Sequence, residues 1–125
     1  MDIKNLSVGI DIEDIKRFDK YSVDKNNRFL EKIFTKSEID YCFSYKAPSK
    51  HLAARYCAKE ACVKALTKLG IKDVYYNQIE VYRDNFGGVS IRLIDKKKYS
   101  KIQLQVSLSH SKDTAAATVL AIGLE

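Results

Sequence analysis

Apolar and polar residues alternate strictly near both ends of the chain and follow a helical period in between. LSVGIDI (residues 6–12) sets Val8, Ile10 and Ile12 against Gly9 and Asp11, which predicts a half-buried strand with Asp11 at its polar edge. KIQLQVSLSH (101–110) places Ile102, Leu104, Val106 and Leu108 on one face and Gln103, Gln105, Ser107 and Ser109 on the other. After the turn SKD, TAAATVLAIGL (114–124) reads as the antiparallel partner of that strand. Between 78 and 93, Ile79 and Val81, then Val89, Ile91 and Leu93, flank the turn-forming DNFGG and predict a hairpin.

The middle of the chain is helical. IEDIKRFDKY suggests a short helix, and NNRFLEKIF (26–34) another, with Phe29, Leu30 and Ile33 at helical spacing. TKSE (35–38) has the spacing of a capping box, so a helix should run on through IDYCFSY. Pro48, the only proline, opens a long helix that Gly70 closes. These elements predict an α+β domain: an N-terminal strand, a helical middle with one long buried helix, and a C-terminal antiparallel sheet against which that helix packs. No repeat, linker or low-complexity tract divides the 125 residues, so one domain over 1–125 is expected.

Composition narrows the functional classes. With 46% hydrophobic residues the chain can bury one core, and no apolar run approaches the ~18 residues of a membrane span. The acids in MDIKNLSVGIDIED do not suit a signal peptide, and the reading is a cytoplasmic protein without membrane contact. Cys42, Cys57 and Cys62 form neither a CxxC pattern nor a disulfide framework and read as reduced packing residues. A formal charge of +6, from 22 Lys and Arg against 16 Asp and Glu, favours an anionic partner without choosing one.

The candidate chemistry centres on AARYCAKEACVKAL (53–66). On a helix, Glu60 and Lys64 lie about 40° apart, as do Arg55 and Lys59, with roughly 140° between the pairs. Small residues, Ala54, Cys57, Ala58, Ala61, Cys62 and Ala65, fill a remaining arc and let a sheet approach closely. Glu60 and Lys64 alone would be an ordinary i,i+4 surface pair. Asp11 supplies a second carboxylate from a strand expected to be central, and two carboxylates suit Mg²⁺, which keeps positions for water and phosphate. Asp11 as a helix cap is the alternative. Arg55, Lys59 and Lys64 would then hold phosphates. His110, in SLSHSKD, suits phosphate binding, proton transfer or a turn cap. No GxGxxG, P-loop, nucleophile-elbow or zinc spacing is present in the sequence.

Three segments taken together, GIDIEDIKRF (9–18), RYCAKEACVKAL (55–66) and SLSHSKDTAAATV (107–119), resemble the holo-acyl-carrier-protein synthases, the small 4′-phosphopantetheinyl transferases. NRFLEKIFTKSEIDYC (27–42) resembles the family's second segment, and the likeness spans residues 7–120. It implies transfer of the 4′-phosphopantetheine arm of coenzyme A to a serine of an apo acyl carrier protein, with release of adenosine 3′,5′-bisphosphate, in fatty acid biosynthesis. By the resemblance, Asp11 and Glu60 bind Mg²⁺, and Lys64 contacts phosphate and assists departure of the bisphosphate. Arg55, Lys59, His110 and Ser111 fall on coenzyme A positions, and Arg17, Arg28 and Phe29 on the carrier-docking region. The resemblance further implies a homotrimer with sites at subunit boundaries. The competing reading is a noncatalytic basic module that binds an acidic protein or nucleic acid, although the sheet lacks the basic-plus-aromatic signature of RNA binding. Such a module has no need for Asp11 and Glu60 to converge.

Overall fold

The structure, a computed structural model, describes residues 2–125. The described residues form five strands, β1 (Ile3–Asp14), β2 (Ile79–Arg83), β3 (Val89–Leu93), β4 (Ile102–His110) and β5 (Thr114–Leu124), and three α-helices, α1 (Arg28–Ile33), α2 (Lys36–Phe43) and α3 (Pro48–Lys68). Short 3₁₀ helices follow β1 (Ile15–Tyr21) and precede β2 (Tyr76–Gln78). The α+β expectation therefore stands, with the termini joined in one antiparallel sheet of order β1-β5-β4 and the hairpin β2-β3 as a separate sheet.

Local chemistry explains the helix boundaries. The Thr35 hydroxyl accepts the Glu38 amide and the Glu38 carboxylate accepts the Thr35 amide, the reciprocal capping box expected at the start of α2. Asn27 caps α1 by accepting the amides of Phe29 and Leu30. Pro48 opens α3, and Gly70, at φ +84°, ends it. There the Ile71 amide donates to Leu66 O and the Gly70 amide to Thr67 O, a Schellman arrangement that a left-handed residue permits.

Helix α3 joins two buried clusters. Cys57, Ala58, Ala61, Cys62, Ala65 and Leu66 meet Val119, Ala121, Ile79 and Val81 on one side. Leu52, Ala53 and Ala54 meet Phe18, Leu30, Phe34 and Cys42 on the other. The three cysteines are free and buried, and burial first of all pushes each thiol up to about 12, so they pack rather than react.

Two expectations for β1 are corrected. The strand is an edge of its sheet, and β5 is central, paired with β1 on one side and β4 on the other. The alternation is real but its sense is inverted: Ser7, Gly9, Asp11 and Glu13 face α3, whereas Leu6, Val8, Ile10 and Ile12 point away with 56–68% exposure. Close approach to the helix decides this. A Cβ on Gly9 would lie 1.9 Å from Ala61 O, so only glycine lets the strand lie against the alanine face of α3. Ser7 adds a hydroxyl bond to Ala65 O in the same seam.

Candidate active site

Because β1 turns its polar row inward, Asp11 and Glu13 stand on the same side as Glu60 and Lys64 of α3. The Lys64 ammonium donates to Ile10 O at 3.0 Å and reaches Asp11 Oδ1 at 3.4 Å. Asp11 Oδ2 is buried and has no hydrogen-bond partner. Burial, then the neighbouring Asp11 carboxylate, and also the charge of Glu60, push the Glu13 carboxyl up to about 7 against the opposing pull of Arg17. Asp11 and Glu13 of β1 and, across the seam, Glu60 of α3 thus contribute negative charge to one flank. Their counter-charges are Lys64, more than half exposed, and Arg17, 2.6 Å from Glu13.

Two phenols line the same place. Burial, then the nearby Glu60 carboxylate, raise Tyr56 to about 12 and lift Tyr76 well above the usual tyrosine value. The rings meet edge-on with centroids 5.8 Å apart, and the Arg17 guanidinium lies 5.5 Å from the Tyr56 ring centre. Neither tyrosine is marked by a motif. Tyr56 could have been found from its position one turn before Glu60 on α3; Tyr76 comes from an irregular segment with no sequence signal. Glu13 follows Asp11 by two residues and shares its face because β1 continues to Asp14.

Among the described residues no three His, Cys, Asp or Glu side chains converge into a ready metal cage. Two carboxylates, one with a buried unpartnered oxygen, nevertheless match what Mg²⁺ takes from a protein when water and phosphate complete its shell. Asp11 and Glu60 fit that ion by donor chemistry.

The expectation for Lys59 is corrected. Its side chain is fully buried, and its ammonium is consumed by Glu38 Oε1 at 2.6 Å, Tyr76 O at 2.8 Å and Ile79 O at 2.5 Å. An ammonium has three N–H donors, so none remains for a phosphate. Glu38 Oε2 accepts the Val81 amide, which completes a buried link between α2, α3 and β2. The roughly 140° that separates Lys59 from Lys64 on the helix decides between core and rim.

Arg55 also faces away from the carboxylates. It is 3% exposed, lies 4.0 Å over the Tyr41 ring, and leaves its Nε unpartnered. Tyr45 stacks on His51 at 3.8 Å beside it. Burial, then Lys50, Arg55, His110 and Arg83, push His51 down to about 4. The same strip holds the exposed His110 at the end of β4, followed by Ser111, whose amide donates to Thr114 O. The chain therefore carries an acidic group and a basic group on different flanks of α3. No hydrogen bond or ion pair among the described residues joins them.

The remaining predicted residues lie at a third place. Phe29 is half-buried and stacks on Tyr21 at 4.1 Å, while Arg28 is exposed at the first position of α1. Arg17 projects from the 3₁₀ helix between this surface and the carboxylates.

Comparison with known proteins places these features in context. Residues 7–120 match the family model described as the 4′-phosphopantetheinyl transferase superfamily. The holo-acyl-carrier-protein synthase of Carboxydothermus hydrogenoformans is 42% identical over 117 residues, covering 89% of this chain and 93% of the relative. That of Clostridium acetobutylicum is 36% identical over 115 residues, covering 88% and 91%. The crystal structure of Helicobacter pylori holo-acyl-carrier-protein synthase in complex with coenzyme A is similar with a TM-score of 0.75 at 34% identity, covering 91% of this chain and 98% of that one.

Proposed function

The chain belongs to the 4′-phosphopantetheinyl transferase superfamily, and from that premise we propose that it is a holo-acyl-carrier-protein synthase, moving the 4′-phosphopantetheine group of coenzyme A onto a serine of an apo carrier. The observation that carries this reading is the gathering of Asp11, Glu60 and Lys64 on one seam, with a buried Asp11 oxygen left without a partner. A basic binding module gives no reason to bury that oxygen beside two further carboxylates.

Phosphoryl transfer depends on alignment and charge neutralisation more than on covalent help from the protein. Asp11 and Glu60 would hold Mg²⁺, which when bound neutralises developing phosphate charge. Lys64, exposed and tethered by Ile10 O and Asp11 Oδ1, offers its third donor to the pyrophosphate. The serine oxygen forms a bond to the phosphorus that carries the pantetheine arm, the serine proton passes to solvent water, and the pyrophosphate P–O bond breaks with its electrons leaving on adenosine 3′,5′-bisphosphate. Arg55, His110 and Ser111 form the basic flank suited to the far phosphate of coenzyme A. Arg17, Arg28 and Phe29 form the surface for the acidic carrier, whose product would serve fatty acid synthesis.

The split between flanks supports a shared site. The outward face of the β1-β5-β4 sheet presents Leu6, Val8, Ile10 and Ile12, with β5 Leu120 opposite Val8 and Ile122 opposite Leu6, an apolar area of the kind that marks an interface. A homotrimer closing over that face would bring the basic flank of one subunit towards the acidic flank of the next. The test incubates the protein with coenzyme A, Mg²⁺ and apo carrier and reads the carrier by mass. Addition of phosphopantetheine by the wild type, and its loss in Asp11→Ala and Glu60→Ala with an unchanged thermal transition, is the expected result. Transfer that survives either substitution overturns the assignment.

A further inference from the structure

We infer that Tyr41 is a positioning residue for Arg55 and, through it, sets the preference for coenzyme A over analogues that lack the far phosphate. The role rests on the assignment of Arg55 to that phosphate, and no charged motif marks Tyr41. Arg55 is a cation left without an anion. It is 3% exposed, its Nε has no hydrogen-bond partner, and none of the ion pairs among the described residues includes it. Lys59, equally buried on the same helix, is met by Glu38. What faces the charge of Arg55 is the Tyr41 ring, whose centre lies 4.0 Å from the guanidinium carbon. The face of such a ring is negative, and its attraction for a cation grows where water is excluded.

Tyr41 is itself held from two sides. Its hydroxyl lies 3.1 Å from that of Tyr45, and its ring meets His51 edge-on with centroids 5.8 Å apart. Tyr45 in turn stacks on His51 at 3.8 Å. His51 and Arg55 are i,i+4 neighbours on α3, while Tyr41 lies on α2 and Tyr45 just past its end, so both helices contribute to one cluster. A ring laid on one face of a planar guanidinium fixes the plane and leaves the donors at its edge aimed in one direction, the geometry that grips phosphate oxygens in pairs. Burying a charge without a partner is costly. The cluster therefore keeps a cation oriented for an anion that comes from outside the chain.

The experiment compares kcat/KM for transfer from coenzyme A and from 3′-dephospho-coenzyme A, which differs only at the far phosphate, and records the carrier and Mg²⁺ constants beside them. The wild type should prefer coenzyme A. Tyr41→Leu removes the ring face and is expected to lower that preference about 10-fold, with the carrier and Mg²⁺ constants unchanged. Tyr41→Phe keeps the ring and removes only the hydroxyl, so its preference should stay within about threefold of wild type. Tyr41→Leu with the wild-type preference overturns the inference, as does a Tyr41→Phe variant that loses as much as Tyr41→Leu. Should Tyr41→Leu lose its thermal transition, Arg55→Lys decides: it keeps the charge without the stacked plane, and a wild-type preference there overturns the inference. Arg55→Gln separates the two levels. Full preference in that variant removes the phosphate assignment itself, whereas its loss there beside an unaffected Tyr41→Leu removes only the role of Tyr41.

Discussion

Gly9→Ala tests whether the active seam depends on how closely β1 lies against α3. The added Cβ would fall 1.9 Å from Ala61 O and 2.9 Å from Ala65 N, both backbone atoms that cannot swing aside. Ordinary contact requires the strand and helix to part by roughly 1–1.5 Å. Overpacking of this kind costs about 1–3 kcal/mol, offset by ~0.4–1 kcal/mol because alanine restricts the unfolded chain. A domain with a typical ~5–15 kcal/mol of stability remains folded after that loss. Catalysis should suffer more, because Ala61 follows Glu60 and Asp11 lies two residues beyond Gly9 on the same face, so the parting acts directly on the two carboxylates. Mg²⁺ tolerates little departure from oxygen distances near ~2.1 Å, and a 1 Å misplacement can cost ~10²-fold in rate, or ~2.7 kcal/mol. Initial rates of carrier modification at 25 °C, read by mass and set beside a denaturant titration, should show a rate loss near 100-fold with most molecules folded. A folded variant whose rate stays within about threefold of wild type would refute the argument that this seam sets the carboxylate geometry.

Arg28→Glu should raise the Michaelis constant for the carrier well above any change for coenzyme A, and wild-type activity should fall with salt, since exposed rim charges are screened within about 8 Å at physiological ionic strength. Equal changes in both constants would count against that docking surface; Arg17 is the less clean probe because its guanidinium already binds Glu13. Val8→Glu should prevent the proposed trimer, so that light scattering gives one chain for the variant against an expected three for the wild type, because the residue is 61% exposed on the apolar sheet face of a single chain. An unchanged mass would place the interface elsewhere. His51, pushed down to about 4 from an ordinary 6.5, stays neutral in the fold where an unfolded chain takes up a proton, so its contribution to stability is full above about pH 6.5 and shrinks as pH falls towards 4. His51→Gln should therefore lose less stability than wild type between pH 7 and pH 5 in denaturant titrations, and equal losses would contradict the shift.

Much of the architecture follows from local rules that act over a few residues. The capping box at Thr35 and Glu38, Pro48 at the start of α3 and Gly70 at its end set helix boundaries because each satisfies or removes backbone groups nearby. Alternation in residues 102–110 and the turn before 114 determined β4 and β5, and the two charged motifs marked Asp11, Glu60 and Lys64 as one seam. What alternation cannot decide is which of its two faces turns inward. In β1 the apolar row suggested the buried side, but burial goes to the row with Gly9 and Ser7, because only small residues let a strand reach an alanine-lined helix. That reversal turns Asp11 and Glu13 towards α3 and leaves Val8, Ile10 and Ile12 exposed on the outer face of the sheet. Lys59 and Lys64 show the same division of labour between sequence and structure. They are identical side chains five residues apart in one motif, yet a buried Glu38 and two carbonyls claim the first, while solvent and Asp11 face the second. Charge and spacing are local properties, but burial, and with it the role of a charge, is settled only when distant segments pack together.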